Sequence, residues 1–84
     1  MILHAGNDVV LREDDIIGIF DIENTSVSKY TKEFLRSKQQ KGRVTDITFE
    51  IPKSFIVTVK DNKERVYLSQ LAPATLKKRS RRLK

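Results

Sequence analysis

The chain has 84 residues, a single histidine, no cysteine and a formal net charge of +6. Its length allows one small domain, which buries only about 60% of the surface its unfolded chain exposes, so oligomerisation is a common source of added stability. Disulfides, thiolate metal sites, a cysteine nucleophile and multi-histidine metal clusters are excluded, and no apolar run approaches the roughly 18 residues of a membrane span.

In chain order, residues 1–5 (MILHA) form a short apolar strand candidate, and Gly6-Asn7-Asp8 reads as a turn. Nothing in MILHAGNDVV resembles a basic region followed by an apolar core, so no secretory signal is expected and a cytoplasmic protein is. Val9, Val10 and Leu11 make a second short strand. Arg12, Glu13, Asp14 and Asp15 read as a charged, solvated connection or a single helical turn. Residues 16–22 (IIGIFDI) predict a strong strand, with Ile17, Ile19 and Asp21 on one face and Ile16, Gly18, Phe20 and Ile22 on the other. Apolar residues on both faces require cover on both sides, supplied either within the monomer or by a subunit interface.

Asn24, Thr25 and Ser26 offer helix N-caps. They precede a helix over 28–40 whose stripe is Val27, Tyr30, Phe34 and Leu35. Gly42 is placed to terminate it. The stripe is expected against the sheet, leaving an outward Lys/Arg face that is either solvated or a phosphate contact. Ile47, Phe49 and Ile51 alternate with polar residues as a strand with one buried face. SFIVTVK, residues 54–60, is the most apolar run and suits a central strand. A polar connection over 61–64 leads to a further strand, RVYLS, over 65–69. Pro73 then opens a second helix that should fray into the basic end. The expected fold class is α+β: a small, mostly antiparallel sheet of about five to six strands, one amphipathic helix packed on it and a short basic C-terminal helix. The expected organisation is a single domain over 1–76 and a basic tail over 77–84.

The net charge is concentrated at one end. Residues 77–84 (KKRSRRLK) carry Lys77, Lys78, Arg79, Arg81, Arg82 and Lys84. Removing those six from the 17 basic residues leaves 11, against 11 acids, so the first 76 residues are neutral. The tail reads either as a salt-sensitive phosphate-backbone contact or as a solubilising end. The aromatics fall mostly on predicted core faces, Tyr67 excepted, so an exposed base-stacking platform is not expected. Catalysis needs titratable groups gathered in a pocket. His4 lies in an apolar strand, and neither Ser54 nor Ser69 has another histidine to pair with, so no enzyme, cofactor or small-molecule substrate is expected.

Three segments in register, DIIGIFDIE over 15–23, PKSFIVTV over 52–59 and VYLSQLAPATLKKRS over 66–80, together with the EFL helix between them, resemble the bacterial extracellular matrix regulatory protein family and within it the RemB-like branch. The resemblance implies a small cytoplasmic homo-oligomer associated with activating biofilm matrix genes in spore-forming, low-GC Gram-positive bacteria. In the RemA branch it implies a ring that contacts DNA through repeated arginines. The basic pair of that branch falls here on Ile51 and Pro52, leaving Lys53 nearby, and another of its arginines falls near Asp15. Ring-like self-association therefore carries over better than the mode of DNA contact. The residues expected to meet DNA are Lys53, Lys77, Lys78, Arg79, Arg81 and Arg82. Two functions remain: an oligomeric transcription regulator that binds DNA non-enzymatically, and an oligomeric protein–protein adaptor that does not bind DNA.

Overall fold

A computed structural model describes residues 2–7, 9–22, 29–47 and 52–80. Six strands and two helices follow the expected order: β1 (Ile2–Gly6), β2 (Val9–Arg12), a 3-10 turn (Glu13–Asp15), β3 (Ile16–Asp21), α1 (Lys29–Gln40), β4 (Val44–Asp46), β5 (Ser54–Lys60), β6 (Lys63–Ser69) and α2 (Pro73–Arg79). The strands divide into a β1–β2 hairpin and a four-stranded sheet ordered β3-β5-β6-β4. The fold is α+β and mostly antiparallel, as the alternation in the sequence predicts. The exception is β4, which runs parallel to β6, with Val44 opposite Val66 and Asp46 opposite Leu68.

Strand β5 is central because both of its faces are apolar enough to be covered. Its first five residues, Ser54 to Thr58, are all buried. On one face Phe55 and Val57, with Val66 of β6, take Phe34 and Leu35 of α1, together with Ile22, Val44 and Leu68. On the other face Ile56 joins Leu3, Ala5 and Leu11 of the hairpin, Ile16 and Ile19 of β3, Ile47 and Leu76 of α2. Three layers result: α1, the sheet, and the hairpin with α2. The chain thus supplies from within itself the cover that β5 requires on both faces.

The face assignment predicted for β3 is corrected. A bulge between Ile16 and Gly18 shifts its register against β5, so Ile16 and Ile19 both reach the buried cluster while Ile17 stays 59% exposed. An inserted residue resets the period-two alternation, which a straight reading of the sequence cannot anticipate. Phe20 is 41% exposed and its ring stacks on Phe55 at 5.0 Å between centroids. The ring also lies over Gly18, where an added Cβ would come within 2.7 Å of it. Glycine at this position makes room for the stack.

Local signals set the ends of α1 and the β5–β6 hairpin. Gly42 adopts φ 68, and two closing bonds, Gly42 N–H to the Gln39 carbonyl (3.0 Å) and Arg43 N–H to the Lys38 carbonyl (2.9 Å), complete a Schellman stop. The β5–β6 turn is tighter than predicted. Asp61 and Asn62, with φ 53 and 64, form a two-residue turn of the I′ kind, so β6 begins at Lys63, opposite Lys60. The strand expected around Ile47 starts earlier, as β4, and Ile47 is buried just beyond it. Phe49 and Ile51, like the N-cap residues 24–26, lie outside the described residues.

Lys32 and Arg36 are exposed on the outward face, whereas Lys38 falls in line with the apolar stripe, four residues after Phe34. Lys38 is buried, donates to Glu64 Oε1 at 2.9 Å and lies 5.5 Å from the centroid of the Phe34 ring. Its long stem packs on apolar surface while its ammonium finds an acid on β6. Glu64→Ala is expected to leave that ammonium buried without its carboxylate and to lower stability by about 1–3 kcal/mol. Chemical denaturation checks this, and a change indistinguishable from zero would show that the pair is solvated and dispensable.

Candidate nucleic-acid interface

The residues expected to meet DNA are placed mainly by α2. Pro73 begins the helix, where its missing N–H costs nothing. One face is anchored by Leu76, which is wholly buried, in the cluster shared with β1 and β3. The turn into the helix is tied down by two serines. Ser69 Oγ donates to the buried Ala5 carbonyl at 2.7 Å and accepts the Leu71 N–H at 3.1 Å. Ser54 Oγ donates to the Leu71 carbonyl at 2.8 Å. These hydroxyls hold the hairpin, the sheet and the helix entry together.

Lys77, Lys78 and Arg79 form the last turn of α2 and are all exposed. Cations there oppose the partial negative charge of the helix C-terminus. Arg79 also reaches back to the His4 carbonyl, its Nη1 donating at 3.4 Å. Helical order runs past Leu76 through Arg79, and Ser80 is buried, with its N–H closing onto the Leu76 carbonyl at 3.1 Å. The structure therefore places Lys77, Lys78 and Arg79 together in the last turn of a helix anchored by Leu76. Arg81 and Arg82 lie outside the described residues. Lys53 is exposed but belongs to the other end of this region. Its N–H donates to the Ser69 carbonyl at 2.8 Å, which sets it beside the entry to α2. The seven residues of α2 span about 10 Å, and that length separates the helix entry from the cationic end.

A second concentration of positive charge was not singled out from the sequence. Arg12, Arg43, Lys60, Lys63 and Arg65 line a cleft of about 330 Å³ at the turn end of β5 and β6. Asp15, Asp61 and Glu64 share its walls, and Leu11, Thr58 and Tyr67 complete them. Arg65 is held in place there, its Nη1 donating to Thr45 Oγ1 at 3.0 Å. The five cations come from β2, the α1–β4 link, β5 and β6, so no linear motif announces them. Tyr67, the aromatic that the alternation set apart from the core, packs partly buried against the cluster around Ile56 and also lines this wall. The three consecutive acids also behave differently from a solvated turn, because Glu13 is buried while Asp14 is exposed. Among the described residues, no three side chains of His, Asp or Glu are grouped to hold a metal, and no helix is long and apolar enough to cross a membrane.

A family model described as extracellular matrix regulatory protein A-like matches residues 2–80, from the first residue of β1 to the buried Ser80. The chain belongs to this family. It is similar to extracellular matrix regulatory protein B of Bacillus subtilis (strain 168), with 41% identity over 80 residues that cover 95% of this chain and 90% of the relative. That likeness supports the RemB-like branch within the family. The match runs through both cores and α2.

Proposed function

We propose that this protein regulates extracellular matrix genes by binding DNA without catalysis, as a cytoplasmic homo-oligomer, through the cationic end of α2 continued by Arg81 and Arg82 and assisted by Lys53. One observation carries the reading: in a chain whose first 76 residues are neutral, a helix anchored by a wholly buried Leu76 presents three adjacent cations to solvent. The family membership of the chain and the name of its Bacillus subtilis relative support the regulatory part. A single such helix makes few phosphate contacts. Repetition around a ring-shaped oligomer multiplies weak contacts into useful affinity, because each contact after the first is made at high effective concentration.

The adaptor reading draws on the exposed apolar residues Ile2, Val10, Ile17 and Phe20, which suit a protein interface. Sizing of the protein alongside DNA binding at rising salt separates the two readings, using wild type and a variant with Lys77, Lys78, Arg79, Arg81 and Arg82 replaced by glutamine. Substitution is preferable to truncation because deleting 77–84 also removes the buried Ser80. The DNA reading expects an oligomer in both proteins and salt-sensitive binding in wild type alone. An oligomer that fails to bind DNA at physiological salt supports the adaptor instead.

A further inference from the structure

We propose that the cleft at the turn end of β5 and β6 is a binding site for an organic phosphate of nucleotide size. Its phosphates would meet the cationic rim, and its apolar or planar portion would lie against Leu11 and Tyr67. The inference does not rest on DNA binding by α2, since it uses none of the same residues.

Charge is the first argument. Five cations face three acids around the cleft, and one of those acids, Glu64, is already committed to Lys38. The first 76 residues are neutral as a whole, so the fold has gathered an excess of positive charge into one concave place. A net excess of positive charge in a concave place raises the local concentration of an anion.

Chemistry and size are the second and third arguments. Arginine presents a planar fork that matches phosphate oxygens in pairs. The Arg65 fork is held by Thr45, while Thr58 Oγ1 donates to the Arg65 carbonyl at 3.2 Å and steadies the same stretch of β6. A group held in place loses less freedom when it binds. The volume of about 330 Å³ falls within the roughly 300–1,000 Å³ range of small-ligand sites. Leu11 is buried and Tyr67 half-buried, so the cleft offers an apolar wall as well as charge. That combination suits a phosphate attached to an organic group better than a bare phosphate.

Titration calorimetry on the full-length protein tests the proposal, with ADP, inorganic pyrophosphate and a short DNA duplex as separate probes. ADP is expected to bind wild type more tightly than pyrophosphate, which leaves the Leu11–Tyr67 wall empty. Lys60→Gln with Lys63→Gln, both exposed, is expected to weaken ADP by about tenfold or more without moving the ligand-free melting temperature. Arg12→Gln, on a different strand, is expected to weaken ADP as well, and keeps the test valid if the hairpin variant folds poorly. No binding of ADP at millimolar concentration overturns the proposal, as does an ADP affinity unchanged in both variants. Equal affinity for pyrophosphate and ADP overturns the role given to Leu11 and Tyr67. A duplex that loses affinity in the variants while ADP does not bind also overturns it, and assigns the cleft to the DNA backbone.

Discussion

Replacing Lys77, Lys78 and Arg79 together by glutamine is expected to weaken DNA binding sharply at low salt and to flatten its salt dependence. Each phosphate neutralised on duplex DNA contributes about 0.9 to the slope of log affinity against log salt. Three contacts on one subunit therefore account for a slope of about 2.7, or roughly a 40-fold loss of affinity between 50 and 200 mM salt. The same three side chains also oppose the dipole at the end of α2, worth about 0.3–1 kcal/mol each at an exposed site. Electrophoretic or fluorescence titrations at several salt concentrations read the slope, and a thermal melt reads the helix contribution separately. A variant that melts slightly earlier but keeps the wild-type slope would show that these cations serve α2 alone.

Leu76→Ala is expected to be the most damaging single truncation on α2. The side chain is wholly buried among residues of the hairpin, β3 and the sheet, and Leu→Ala at such a site costs about 2–5 kcal/mol. A domain of this size has a total stability of only about 4–12 kcal/mol. The expected fall in melting temperature is on the order of 10–30 °C. Thr75→Ala, at an exposed neighbouring position, is the control and should change little. Since Leu76 is the contact that holds the cationic turn in place, the variant should also lose DNA affinity at temperatures where the remainder stays folded. A stability loss under about 1 kcal/mol would show that α2 is only loosely attached, and that the three cations act as a flexible extension.

Much of the fold was legible because its signals are local. The apolar run through Phe55 and Val57, Gly42 after a helical stripe, and Pro73 before another helix each act over a few residues. The element order and the α+β class follow from them. The family resemblance was legible for the same reason, in three segments that fall on β3, β5 and β6 with α2. Other features escaped. The bulge at Ile17 turns on how β3 pairs with β5, and it moved Ile16 to the face of Ile19. Lys38 falls in line with the apolar stripe, four residues after Phe34, but only the fold shows that Glu64 on a strand 26 residues away in sequence claims its ammonium. The cationic cleft was hidden because its five basic residues are scattered from Arg12 to Arg65 and meet only where β2, the α1–β4 link and the β5–β6 turn come together.

By itself, the sequence determined which segments become strands and helices, where α1 stops, where the basic charge accumulates and which family the chain resembles. Periodicity, capping and turn chemistry depend on neighbours three or four positions away, and every segment carries that information within itself. Only the tertiary structure decided that β4 would lie parallel to β6, that the β1–β2 hairpin and α2 would share one face of the sheet, and that two separate cationic surfaces would form. Those outcomes depend on which apolar faces bury one another, and that choice is made between segments tens of residues apart.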